Sequence, residues 1–79
     1  METQIKEKIR VACLFENGRI RPLVFFWRNR NYKILRTSFA YSKNLGREKI
    51  FYFSVESNNE TLEISFNREK FSWTLEKIF

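Results

Sequence analysis

Apolar and polar residues alternate with a period of two along almost the whole chain, and short turn signals interrupt the alternation five times. Strand side chains point alternately to opposite faces, so this pattern demands sheets with one buried face and leaves helix at most a turn, at the N-terminus or around residues 41–47. The signals are Asn17-Gly18, Asn29-Arg30, Asn44-Leu-Gly46, Asn58-Asn59 and Asn67-Arg68. They predict six strands, roughly at 6–16, 19–28, 31–42, 49–57, 60–67 and 71–78. Residues 1–5 are expected to be a frayed N-terminus.

The turns set testable registers. Asn-Gly favours a two-residue type I′ loop. It pairs Glu16 with Arg19, Phe15 with Ile20, Cys13 with Pro22, Val11 with Val24 and Ile9 with Phe26. All pairs after the first are apolar and share a face, which a one-residue slip would destroy. A turn at Asn29-Arg30 pairs Trp27 with Tyr32, Phe25 with Ile34 and Val24 with Leu35. A turn at Asn58-Asn59 pairs Val55 with Leu62, Phe53 with Ile64 and Phe51 with Phe66. A loop from Asn67 to Lys70 pairs Phe66 with Phe71, Ile64 with Trp73 and Leu62 with Leu75. The expected fold is all-β: two three-stranded antiparallel meanders packed apolar face to apolar face, as a small sandwich or a partly open SH3-like barrel. With 79 residues the chain forms one domain, 1–79, and nine Phe, three Tyr and two Trp supply its core.

Several function classes are excluded or weakened. The chain has no His, no Asp and one Cys, so the ordinary zinc ligand sets and the Ser-His and Cys-His pairs are missing. There is no Gly-rich phosphate loop, G-x-S-x-G or H-E-x-x-H motif. No catalytic residue, metal or cofactor is expected. No apolar run approaches the roughly 20 residues of a membrane span, and no secretory signal is visible. Cys13, in an apolar alternation, reads as a small hydrophobe in a reducing compartment. A cytoplasmic location is expected. Glu56, Glu63 and Glu76 share one face and read as solvated.

The charge is uneven. Lys and Arg number 15 against nine acids, for a net +6, and from Asn17 to Arg47 eight basic residues stand without an acid. That asymmetry suggests a polyanionic partner. By the registers above, one surface of the first meander gathers Arg10, Arg19, Arg21 and Arg36 with Phe25, Trp27 and Tyr32. Arg28, Arg30 and Lys33 add charge at the hairpin tip. Guanidinium groups hold phosphates and aromatic faces stack on bases, so these ten residues form a candidate nucleic-acid-binding site, DNA or RNA. The same residues have another reading. Basic side chains on exposed strands block edge pairing, and a strongly bent strand buries both faces, which makes Phe25, Trp27 and Tyr32 core.

The pattern Pro22-x-x-Phe25-x-Trp27, Tyr32-x-Ile34, Tyr52-Phe53-x-Val55, Leu62-x-Ile64-x-Phe66 and Trp73-x-Leu75 resembles a family of short uncharacterised bacterial β-domains. These occur alone and near or fused to Y-family polymerase-like DNA-repair proteins. Asn29 stands where that family has Gly, and Tyr41 where it has Trp. The resemblance implies a DNA-linked accessory context and assigns no functional residue.

The expectation is therefore a small, basic, mainly non-sequence-specific nucleic-acid-binding or DNA-repair accessory module, monomer or dimer. The alternative is a protein-interaction or oligomerisation domain that binds an acidic protein partner and no nucleic acid.

Overall fold

A computed structural model describes residues 2–79. Among them there is no helix. Seven strands form one antiparallel sheet: β1 (Thr3–Glu16), β2 (Arg19–Trp27), β3 (Arg30–Lys33), β4 (Arg36–Leu45), β5 (Glu48–Ser57), β6 (Glu60–Asn67) and β7 (Ser72–Ile78). Their order across the sheet is β3-β2-β1-β7-β6-β5-β4. The sheet curls into a half-barrel, so the partly open barrel is the form taken. Its two meanders join edge to edge through β1 and β7 and do not stack as separate layers.

Local chemistry explains most of the turns. Asn17-Gly18 and Asn58-Asn59 have positive φ at both positions, as a type I′ loop requires, and Asn and Gly tolerate that conformation. The registers beyond them run as the sequence predicts, from Glu16↔Arg19 to Cys13↔Pro22 and from Ser57↔Glu60 through Phe51↔Phe66. The β2–β3 turn instead uses Arg28-Asn29, which pairs Phe25 with Tyr32 and Trp27 with Arg30. In the last hairpin Phe71 joins the loop with positive φ and is 76% exposed, so Phe66 pairs with Trp73 and Ile64 with Leu75. Both corrections move a partner by two residues and keep the buried face buried.

The strand expected at 31–42 is two strands, because the chain crosses from one sheet edge to the other at Ile34 and Leu35. Ile34 donates its N–H to the Leu23 carbonyl on β2, and Leu35 donates to the Glu56 carbonyl on β5. The buried Ser57 hydroxyl donates to the Lys33 carbonyl at 2.8 Å. These bonds close one end of the barrel. Residues 41–45 continue β4, and Gly46 takes the positive φ of the next turn. Residues 3–5, expected to fray, belong to β1, with Thr3 opposite Ile78 and Gln4 opposite Lys77. Met1 lies outside the described residues.

The core runs across the concave face: Ile9, Phe25 and Tyr32 from the first three strands meet Phe53, Val55, Leu62, Ile64, Phe66, Trp73 and Leu75 from the last three. Cys13 packs against it, and burial pushes its thiol pKa up, which favours the protonated form.

Candidate nucleic-acid interface

One bulge decides which side chains reach the surface of the first meander. Cys13 pairs with Pro22, but Ala12 pairs with Val24, so Leu23 is an extra residue on β2. Proline has no N–H to give a ladder, and a bulge beside it absorbs the defect. Beyond the bulge the faces of β2 exchange. Phe25 turns inward and is 0% exposed, and its partner Tyr32 is 6% exposed. Their rings stack with centroids 4.7 Å apart. Phe25 and Tyr32, expected on the binding face, are core residues.

Trp27 is half-buried and shares the inner face with its partner Arg30, at the end of the barrel. Its indole N–H donates to Glu7 Oε1 at 2.9 Å, and Arg28 donates to Glu7 Oε2 at 2.9 Å. The Arg28 guanidinium lies 4.5 Å from the Trp27 ring centroid. The indole bond first, and the Arg28 bond second, hold the Glu7 carboxyl pKa below its usual value. Arg28 has φ 52°, a conformation that costs a non-glycine residue about 1–2 kcal/mol, and this clamp helps hold it there. Trp27 is therefore occupied by protein groups on its indole edge and one ring face.

The outer face of β1–β3 carries the site that remains. Phe26 is opposite both Arg10 and Asn31, Val24 is opposite Lys33, Leu14 is opposite Arg21, and Glu16 is opposite Arg19. The Arg10 guanidinium sits 5.6 Å from the Phe26 centroid. A shallow cleft of about 400 Å³ joins Arg10, Phe26, Trp27, Arg28, Arg30 and Asn31. Among the described residues, the side chains of Arg10, Arg19, Arg21, Arg30 and Lys33 make no ion pair or hydrogen bond. Arg36 is on another strand: it lies on β4, across a groove from Arg19 and Arg21, and pairs with Glu56 at 3.1 Å. The structure thus brings Arg10, Arg19, Arg21 and Lys33 onto one face, sets Arg28 and Arg30 at its rim, and removes Phe25 and Tyr32. Phe26 is the aromatic residue that the sequence reading missed. The signal for it was Pro22, which foretells a ladder defect one residue before the parity changes.

The acidic face of β4–β7 also differs from expectation. Glu63 is only 7% exposed and is not solvated. The Tyr41 hydroxyl donates to Glu63 Oε2 at 2.9 Å, and the Tyr41 and Tyr52 rings stack at 4.9 Å. Ser65 donates to Glu76 Oε2 at 2.6 Å, and Lys6 pairs with Glu76 Oε1 at 3.2 Å. Burial, and then the bond to Glu63, push the Tyr41 phenol pKa up to about 12. No buried side-chain polar atom is left without a partner among the described residues. This network reads as packing.

No helix among the described residues is long and apolar enough to cross a membrane. Comparison with protein-family models, with curated proteins and with solved structures found no match to the chain.

Proposed function

We propose that this chain is a small nucleic-acid-binding module that grips the phosphate backbone with the outer face of β1–β3. The observation that carries this reading is the charge imbalance between faces. Six of the nine glutamates are held in ion pairs, while on this face Arg10, Arg19, Arg21 and Lys33 have none among the described residues and Glu16 is the one acid beside them. Unpaired guanidinium groups on a sheet attract phosphates and dock them in bidentate geometry. Phe26, beside Arg10 and Asn31, supplies a ring edge for one base or sugar. Contacts of this kind position a backbone without reading its sequence. The chain acts as a binding module and not an enzyme, in the cytoplasm, and the family resemblance supports a DNA-repair accessory setting.

The test is fluorescence anisotropy with a labelled mixed-sequence single strand and the matched duplex. Four phosphate contacts predict that duplex affinity falls about a hundredfold between about 50 and 200 mM salt, and single-strand affinity somewhat less. The double variant R10A/K33A is expected to reduce the salt slope by about two contacts. Salt-independent binding, or none at low salt, would overturn the reading.

A further inference from the structure

The two outermost strands of the sheet leave a gap that is wide at one end and closed at the other. β3 has four residues and covers only Val24 to Trp27 of β2. The stretch from Arg19 to Pro22 therefore pairs with β1 alone, and the bulged Leu23 accepts a single bond at its carbonyl from Ile34. β4 pairs with β5 alone over its ten residues. Between these two bare edges lies a groove of about 1130 Å³, and Ile20, Ile34, Phe51 and Phe53 form its apolar lining. Arg19, Arg21 and Arg36 also line it. Both edges offer unpaired backbone N–H and C=O groups, the template to which an extended chain adds as a strand.

We propose that this gap accepts one extended segment of a partner protein in which apolar and acidic residues alternate. Parity determines that chemistry. A strand lying between β2 and β4 would turn every second side chain inward, over Ile20 and Phe53, where only apolar groups are accommodated without an unpaired polar atom. Its other side chains would lie on the outer face. There its neighbours are Arg19 and Arg21 on β2 and Arg36, Phe39, Tyr41 and Lys43 on β4. Glu56 already pairs with Arg36, and Glu16 lines the groove opposite Arg19, so the basic surplus that an acidic strand would meet rests on Arg21 and Lys43, with Arg19 shared. Opposite charges directly across neighbouring strands stabilise and like charges destabilise, so the outward residues are Glu or Asp. The same rule disfavours a second copy of this chain. Pairing β4 with β4 would set Arg36 and Lys43 against a strand that has no acid of its own.

A synthetic end-capped octapeptide alternating Glu and Val tests the proposal. Saturable binding is expected, with amide hydrogen exchange slowed in residues 19–23 and 37–43. N-methylation of either alternate set of the peptide's backbone nitrogens removes its donors to one of the two edges, so each of the two methylated peptides is expected to lose binding at least about tenfold. Arg21→Glu, a fully surface change, is expected to weaken the Glu peptide by a similar factor and to favour a Lys-Val peptide over it. No saturable binding at millimolar peptide overturns the proposal, as does protection elsewhere in the molecule. Concentration-dependent dimers with β4 protected in the absence of peptide would overturn it in favour of self-pairing.

Discussion

The two halves of this sheet treat their charges in opposite ways. In β4–β7 the outward carboxylates of Glu63 and Glu76 are covered by Tyr41 and bonded by Ser65 and Lys6. In β1–β3 the outward guanidinium groups of Arg10, Arg19 and Arg21 make no ion pair or hydrogen bond among the described residues. A protein folding for stability alone gains little from an uncompensated basic face, since like charges repel in the compact state. On the function proposed above, the four-stranded half would be the scaffold and the three-stranded half the binding surface.

The largest expected effects probe the scaffold. Leu75 and Ile64 are fully buried in β7 and β6. Leu75→Ala is expected to cost about 2–5 kcal/mol in urea unfolding. Ile20→Ala, at the mouth of the half-barrel, should cost clearly less, because Ile20 is only partly buried. Equal losses would erase the distinction between the halves.

Next comes the tyrosine network. Glu63→Gln should cost about 1–3 kcal/mol, since the Tyr41 hydroxyl loses a charged acceptor in a buried place. The Tyr41 pKa, about 12 in the folded chain, should move back toward 10 in a near-ultraviolet absorbance titration. A raised phenol pKa means the folded state holds its proton longer than the unfolded state. The stability that Tyr41 contributes is therefore complete below about pH 10 and is lost as pH rises toward 12. An unmoved pKa in the Gln variant would show that burial acts alone.

Smaller effects lie in the turns. Gly46→Ala has open space around its new Cβ, yet φ +61° makes it strained, for about 1–2 kcal/mol. Gly46→Asn should recover most of that loss. Smallest is Arg28→Ala, which removes an exposed ion pair and leaves a non-glycine residue at the same left-handed φ, so little change in stability is expected. Its clearer sign is optical. Trp27 fluorescence should respond to acid as Glu7 protonates below the usual carboxylate range, and in Arg28→Ala that transition should shift to higher pH.

The fold was largely legible because parity is robust. Asn17-Gly18 and Asn58-Asn59 announce turns whose conformation their residues tolerate, and the registers follow, as far as Cys13↔Pro22 in the first hairpin, where the expected Val11–Val24 and Ile9–Phe26 pairs give way to Val11↔Phe25 and Arg10↔Phe26, and through Phe51↔Phe66 in the other. Errors arose where residues adopt conformations their type disfavours. Arg28 and Phe71 both take positive φ, and nothing in their identity advertises it. Division of the third strand at Ile34 and Leu35 depends on bonds to Leu23 and Glu56, which are set by the curl of the whole sheet. The basic residues of the site were visible as a run without acids. Their aromatic companion was not, because one bulged leucine exchanges Phe25 for Phe26 on the outer face. Glu63 was misjudged because a neighbouring strand, and not its own, supplies the ring that covers it.

The seam between β1 and β7 carries a consequence for how the molecule is made. Thr3 lies opposite Ile78, so nearly the whole chain separates the two sides of that ladder. Each hairpin can form from contacts close in sequence, within microseconds. The seam must wait for loop closure over the full length, and topologies rich in such distant pairs fold slowly. During synthesis the first strand emerges long before its second partner exists. Until Ser72–Ile78 have been made, the edge of residues 3–9 is bare, and a ribosome-bound chain carries there the same vulnerability to stray pairing that the finished protein keeps at its outer edges, β3 with the uncovered part of β2 on one side and β4 on the other.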